Sequence, residues 1–325
     1  MKLPRRQFLH LAAMAPALPA VIPVARAQAY PTRPVRVLVG FAPGGTTDIV
    51  TRLMGRWLSE RLGRPFIIEN RPGANTNIAT EAGASVPGDG YTLTILGSTQ
   101  TINETVYDKL TVKLNRDYTF IAGLNESPLV LEVHPAVPAN TVPEFIAYAK
   151  ANPGKVNLAS FGIGSISHVA AELFKMATGT DMLHVPYRGS APMLTNLLGG
   201  QVQAAFDNLP ASLEYIRTGR LRALAVTSVK RAEVLPDIPV LSDFVPGLEV
   251  SALFGVAAPK NTPVEIVDRL NKEINAGLAD PNIKARLANL GGSPLILSPA
   301  GFTKLIADEV VKWGKVVRTA GIKLE

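Results

Sequence analysis

Cysteine is absent from all 325 residues. That absence excludes a disulfide framework, thiolate zinc sites, iron–sulfur clusters and cysteine nucleophiles together. Any chemistry is left to oxygen and nitrogen groups. Aromatic residues are few, at 6%, and charged residues reach 18%, while 47% of the chain is hydrophobic. A chain of that composition is neither disordered nor a coiled coil, and its length suits one large domain or two smaller ones. Histidine is scarce: His134, His168 and His184 are the three beyond the N-terminal segment. Also missing are a G-x-S-x-G elbow, a G-x-G-x-x-G turn, a Walker A sequence, an H-E-x-x-H pair and an EF-hand loop. There is no internal repeat, heptad array or low-complexity tract.

What the chain has is a basic surplus, +7 formally, which would suggest nucleic acid or an anionic membrane as partner. The N-terminus changes that reading. Residues 1–29 run from a basic start through an apolar middle to the small-residue end Ala27-Gln28-Ala29, the pattern of a secretory signal, with cleavage expected after Ala29. Arg5-Arg6-Gln7-Phe8-Leu9 resembles a twin-arginine signal, and both export routes stay open. Removing the segment takes Lys2, Arg5, Arg6 and Arg26 with it and leaves +3. No later run of 18 apolar residues follows, and Tyr30-Pro31 stands where a lipoprotein would need cysteine. A freely diffusing periplasmic protein with no nucleic-acid partner is expected.

Beyond Ala29, short β-branched runs alternate with amphipathic segments, the signature of an α/β fold with largely parallel strands. Strands are expected at 34–41, 65–69, 91–96, 129–133, 156–160, 182–185, 204–207, 221–227 and 250–257, with a helix over 46–62 closed by Gly63. Thr141-Val-Pro-Glu144 and Thr262-Pro-Val-Glu265 both fit capping boxes with proline in the first turn and predict helices over 142–152 and 263–279. Pro281 and Pro299 open two more, the last running to Ala320. With no flexible linker visible, two lobes would be joined by strand-like crossings near 128–135 and 250–259.

Three loops that follow a strand and open a helix carry the candidate chemistry. The first, Phe41-Ala-Pro-Gly-Gly-Thr-Thr-Asp48, offers Phe41, Gly44, Gly45, Thr46 and Asp48. The second, after the strand at 91–96, offers Ser98, Thr99 and Asn103. The third, Ser160-Phe-Gly-Ile-Gly-Ser-Ile-Ser-His168, offers Gly162, Gly164, Ser165 and His168. Glycine permits tight turns and close approach, and a helix N-terminus presents unpaired amides and partial positive charge, so such loops suit a carboxylate or phosphate. Each is also what a plain strand-to-helix turn looks like. Together they suggest a crevice at the C-terminal ends of the strands. None contains Lys or Arg, so an anion would be held by amides, hydroxyls and water. His168 and Glu172, four apart, read as a helix-face pair rather than a metal site, and neither metal nor cofactor is expected.

Several further motifs occur in a fixed order: Tyr30-Pro31, the FAPGGTTD loop, Glu69-Asn-Arg-Pro-Gly-Ala74, Asp89-Gly-Tyr-Thr-Leu93, SFGIGSISH, His184-Val-Pro-Tyr-Arg-Gly189, Leu198-Gly-Gly-Gln-Val202, Gly219-Arg-Leu-Arg-Ala-Leu-Ala225, Arg231 with Leu235-Pro-Asp-Ile-Pro239, and Ala258-Pro259. The set resembles the extracytoplasmic solute receptors of tripartite tricarboxylate transporters, the Bug family, over nearly all of 30–325. The resemblance implies a periplasmic-binding-protein type 2 fold, two α/β lobes closing on a ligand cleft. It implies lobe 1 from 30–130 plus 254–325 and lobe 2 from 131–253. It implies a small organic carboxylate as ligand, delivered to the membrane components of such a transporter or to a sensor. A monomer is expected. By position it assigns Gly44, Gly45, Thr46 and Asp48 to one wall and Gly162, Gly164, Ser165 and His168 to the facing one. The sequence departs from the family at Leu253-Phe254, where tryptophan is common.

Two carboxylates need separate treatment. Asp48 suits a first helical turn with Arg52 four residues on. Asp207 ends a strand and is expected either to accept a hydrogen bond from a ligand hydroxyl, ammonium or ring N–H, repelling a third carboxylate, or to cap its own loop. A secreted hydrolase-like enzyme with Ser165 or Ser167 as nucleophile and His168 as acid/base is the competing function.

Overall fold

The alternating valines of strand β1 (Val35–Val39) put Val35, Val37 and Val39 into the core, and a glycine turn then feeds helix α1 (Thr46–Leu62). The protein is described here from a computed structural model covering residues 30–107 and 109–322; the expected export signal and its cleavage position lie outside the described residues. Gly63 ends α1 in the left-handed region, at φ 68, and donates its N–H to the Ser59 carbonyl. Strand β2 (Phe66–Asn70), helix α2 (Asn77–Ala84), strand β3 (Thr92–Gly97) and helix α3 (Ser98–Val106) follow, with β2 and β3 flanking β1 in parallel.

A single turn, α4 (Leu114–Asp117), leads to β4 (Tyr118–Val133), sixteen residues long and shared by two sheets. Then come α5 (Val142–Ala151), β5 (Asn157–Ser160), α6 (Ile166–Thr178), β6 (Leu183–Pro186), α7 (Ser190–Leu198), β7 (Ala204–Asn208), α8 (Leu209–Arg217) and β8 (Arg222–Val226). The chain returns through β9 (Ser251–Pro259), α9 (Val264–Ala279), α10 (Pro281–Asn289), the short β10 (Ser293–Pro294) and α11 (Pro299–Thr319). One sheet runs β2-β1-β3-β9-β4-β10 and the other β8-β4-β7-β5-β6, each the centre of an α/β lobe.

The α/β architecture agrees with the sequence reading, but the strand directions correct it. β5 lies parallel to β6 and β7, as β1 does to its neighbours, whereas every partner of β4, and the β3–β9 pair, is antiparallel. The reversal follows from the two crossings, since a strand that leaves one lobe and another that returns must run in opposite directions. The first eleven residues of β4 went unread because Gly123, Asn125 and Pro128 punctuate them, and the register slips twice against β9.

Of the two expected capping boxes one forms in part. Thr141 accepts the Glu144 N–H, but Glu144 reaches back to the Asn140 amide, one residue early. Thr262 does not cap α9; its hydroxyl donates to the Pro259 carbonyl, tightening the turn after β9.

The crossings are clasped by one side chain. Thr227 Oγ1 accepts the Leu129 N–H at 2.8 Å and lies 2.5 Å from the Val250 carbonyl, tying the two crossing segments to the end of β8. Thr227→Val keeps the shape but orphans a buried amide, so a loss of about 1–3 kcal/mol is expected in urea unfolding.

Candidate functional site

The start of α1 places Thr47 at the inner end of the space between the lobes, and the start of α3 places Ser98 and Thr99 beside it. From the other lobe, Ile166 opens α6 and Asn208 precedes α8 on the same space. Four helix N-termini, two from each lobe, thus converge on one inner cavity. Each brings amides without intrahelical partners and partial positive charge.

Among the described residues the cavity wall contains no Lys, Arg, Asp or Glu; its polar groups are hydroxyls and amides. The Thr46 hydroxyl and the Asn208 Oδ1, at the first turn of α1 and the cap of α8, are buried without partners among the described residues. At about 10 Å³ the cavity has room for no more than one water. A larger guest must part the lobes.

The Phe41 and Phe161 rings, from facing lobes, meet edge to face at 5.6 Å and separate this inner cavity from an outer one. The outer cavity, about 240 Å³, is bordered by Asn75, Thr76, Tyr107 and Tyr187, with Arg188 its one cation among the described residues. The lobes also touch directly where the Ala42 N–H meets the Arg188 carbonyl at 3.3 Å. Two larger hollows, about 610 and 360 Å³, lie elsewhere, one against the crossing strands and one between α6, β6 and the end of α11.

The profile of the tripartite tricarboxylate transporter family receptor matches residues 50–322. This chain belongs to that family. Protein BugT of Bordetella pertussis is 37% identical over 302 residues, covering 92% of this chain and 93% of the relative. Among solved structures, Rpa4515 of R. palustris with adipate is 38% identical, with a TM-score of 0.88 over 90% of this chain and 99% of that one. MatC from Rhodopseudomonas palustris with bound malate is 31% identical, with a TM-score of 0.85 over 89% and 100%.

Within the receptor, the residues singled out from sequence divide by position. Phe41, Ser98 and Thr99 line the inner cavity, and Gly162 lines the outer one. Gly44 and Gly45 border neither; they face Ala191 and Ser190 of the other lobe, where a Cβ on Gly45 would stand 3.4 Å from the Ser190 Cβ. Their smallness serves lobe-to-lobe contact.

Asp48 turns away from the cleft. It accepts the Gly44 N–H at 3.0 Å, the Asn70 amide at 3.0 Å and the Arg52 guanidinium at 2.9 Å, bracing the glycine turn. Burial works to raise its pKa, but Arg52, the Gly44 amide and Asn70 together hold it below the usual carboxylate range.

His168 is also turned away. Its Nδ1 accepts the Gly164 N–H at 3.0 Å, its Nε2 lies 3.6 Å from Glu172, and its ring stacks on His184 at 4.0 Å. Burial and the neighbouring His168 push His184 down to about 3, so that imidazole stays neutral. Ser165 donates to the Gly162 carbonyl at 2.6 Å and Ser167 to the Phe206 carbonyl at 2.5 Å. Neither serine bonds an imidazole, so the nucleophile–base pairing of the competing enzyme reading does not form. Asp207 is fully buried and accepts from Ser190, the Asn208 amide and Ser212, which is the loop-capping alternative.

Asn103 lies behind the cavity wall, bonded to Asn75 and Asn77. Sequence reasoning missed Thr47, Gln100 and Asn208 of the inner wall and Asn75, Thr76 and Tyr107 of the outer one. For two of them a weak signal existed: Asn75 comes two residues after Pro72-Gly73, and Asn208 stands between a strand end and Pro210, as an N-cap does. Phe254, at the position that departs from the family pattern, keeps an aromatic ring in the inner wall.

Proposed function

We propose that the protein is a periplasmic receptor that captures a small organic carboxylate between its lobes and delivers it to the membrane components of a tripartite tricarboxylate-type transporter. The observation that carries this reading is the meeting of four helix N-termini at one charge-free cavity. An anion there is stabilised by oriented amides from both lobes at once, and no lysine or arginine is required. Because both lobes contribute, the anion binds the closed arrangement better than the open one and shifts the population by that difference. The chemistry is capture and release, with no bond made or broken. The relatives solved with adipate and malate support a dicarboxylate.

In the same reading Thr46, Ser98 and Thr99 bind the carboxylate, Phe41 and Gly162 shape its surroundings, and Asp48, His168 and Asp207 hold the walls in place. Lobe 1 is 30–130 with 254–325, and lobe 2 is 131–253. Residues 1–29 direct export and are removed near Ala29, and the protein works as a monomer.

A thermal-shift series on the mature protein with malate, succinate, glutarate, adipate and citrate tests this. A ligand at a hundred times its Kd adds about 2.7 kcal/mol, a rise of several degrees in Tm. Mass spectrometry of the recovered ligand completes the test. A stabilising acid returned unaltered is expected. No shift with any acid, or catalytic conversion of one, would overturn the proposal.

A further inference from the structure

Three consecutive non-glycine residues, Ala74, Asn75 and Thr76, have φ of 44, 47 and 77, a left-handed run that L side chains disfavour. Such a backbone persists where the surroundings hold it and marks places where geometry serves a task. Here it projects the Asn75 side chain from the first lobe towards the Gly162–Gly164 loop of the second. A Cβ on Gly162 would stand 2.6 Å from the Asn75 Oδ1, and one on Gly164 3.3 Å from its Nδ2.

The orientation of this amide is fixed by its neighbours. The Asn75 main-chain carbonyl can only accept, and Asn103 Nδ2 donates to it at 2.8 Å and to Asn77 Oδ1 at 2.8 Å. Asn103 must therefore present its Oδ1 to Asn75, and Asn75 Nδ2 donates to it at 2.8 Å. The remaining atom, Asn75 Oδ1, is buried and has no partner among the described residues. Asn75 thus sets a fixed, unpaired acceptor at the border of the outer cavity, against the Gly162 loop of the second lobe. A buried acceptor left unpaired costs free energy, and a guest that supplies a donor recovers it.

We propose that Asn75 is a specificity-determining residue: its Oδ1 selects, among small carboxylates, those carrying a hydrogen-bond donor, a hydroxyl or an ammonium, at the end of the molecule that lies in the outer cavity. This rests on the carboxylate-receptor reading. The inner cavity takes one carboxylate by helix N-termini, and the outer cavity sorts what is attached to it. The same acceptor repels a bare carboxylate placed against it, so it rejects as well as recruits.

The test uses matched acids: succinate against malate and aspartate, and glutarate against 2-hydroxyglutarate and glutamate, each titrated calorimetrically into the mature protein and two variants. In the wild type the better donor-bearing acid is expected to bind about tenfold more tightly than its plain partner. Asn75→Gly, whose backbone suits positive φ, is expected to fold and to bring that ratio close to one. Asn75→Asp, which keeps an acceptor and adds charge, is expected to keep the preference and shift it towards the ammonium-bearing acids. A role confined to holding the loop would weaken all acids alike and leave the ratio unchanged in Asn75→Gly; that result, or a wild type with no donor preference, overturns the inference while the receptor reading stands. Absence of binding by every acid overturns both.

Discussion

Gly97→Ala is expected to cost about 3 kcal/mol or more and to abolish carboxylate binding. Gly97 has φ 178, extended backbone that any residue adopts, so the effect is steric. It ends β3, pairs with Phe254 of β9, and opens α3 at the inner cavity. A Cβ there would fall far inside van der Waals contact with the Leu253 carbonyl oxygen, main chain that cannot swing aside. Relief requires β3 and β9 to part. That breaks the bond from the Leu253 N–H to Ser98 Oγ, 3.0 Å, and displaces the α3 amides proposed above to hold the ligand. Overpacking of this kind costs about 1–3 kcal/mol in cores that relax and more where backbone opposes backbone. Gly179→Ala is the control: it caps α6 at φ 61 with open space around it, so it costs about 1 kcal/mol through backbone alone and leaves binding intact. Thermal melts with and without ligand read both. A Gly97→Ala protein that melts with the wild type and still binds would show that the inner cavity is not where the carboxylate sits.

The contrast between these glycines marks what a sequence conveys. Helix α1 was legible to its ends because a glycine turn, an acidic first turn and a left-handed Gly63 state one answer locally. The inner cavity was partly legible for the same reason, since a glycine-rich strand end that opens a helix announces unpaired amides. What the sequence could not convey was direction. FAPGGTTD and SFGIGSISH each present several polar side chains, and only the fold decides which face the cleft. Asp48 and His168 are spent on bracing their own turns, through the Gly44 and Gly164 amides. Asn75 left only a faint local signal because its meaning depends on residues far away in sequence, Asn103 and Gly162. Likewise β4 is held as a strand through Gly123 and Pro128 by β9, a partner more than a hundred residues on.

The second large effect concerns the two carboxyls beneath the second lobe's wall. Glu132 and Asp207 are both fully buried, and one hydroxyl, Ser212 Oγ, lies 2.8 Å from Glu132 Oε1 and 3.1 Å from Asp207 Oδ2. A hydroxyl has one hydrogen, so it cannot donate to two carboxylates; it bridges them fully only if one carboxyl is protonated and donates to it. Asp207 receives Ser190 and the Asn208 amide as well, whereas Glu132 Oε2 has no partner, which makes Glu132 the proton carrier. Burial, then the Asp207 charge, pushes Glu132 well above the usual range, and burial pushes Asp207 up to about 7 against its three donors. Carboxyls whose folded pKa is raised bind more protons folded than unfolded. Their contribution is full below the unfolded values and is lost as pH rises through the folded ones. The acid side is governed by groups of opposite sense: His184, held neutral, and Glu172, lowered to about 2 by His168 and Lys175 against the effect of burial. Tm is therefore expected to fall as pH rises through 7 and onward to 9. Glu132→Gln, whose amide donates to Ser212 without titrating, is expected to flatten the fall above Asp207's own step. Asp207→Ala is expected to lose several kcal/mol at every pH, since it strands the Ser190 hydroxyl and the Asn208 amide, each at about 1–3 kcal/mol. It also frees Ser190, which packs against Gly45 of the other lobe, so binding should weaken with stability. Melts of the three proteins from pH 5 to 9 decide the matter, and parallel curves for wild type and Glu132→Gln above pH 7 would show that Glu132 carries no proton there.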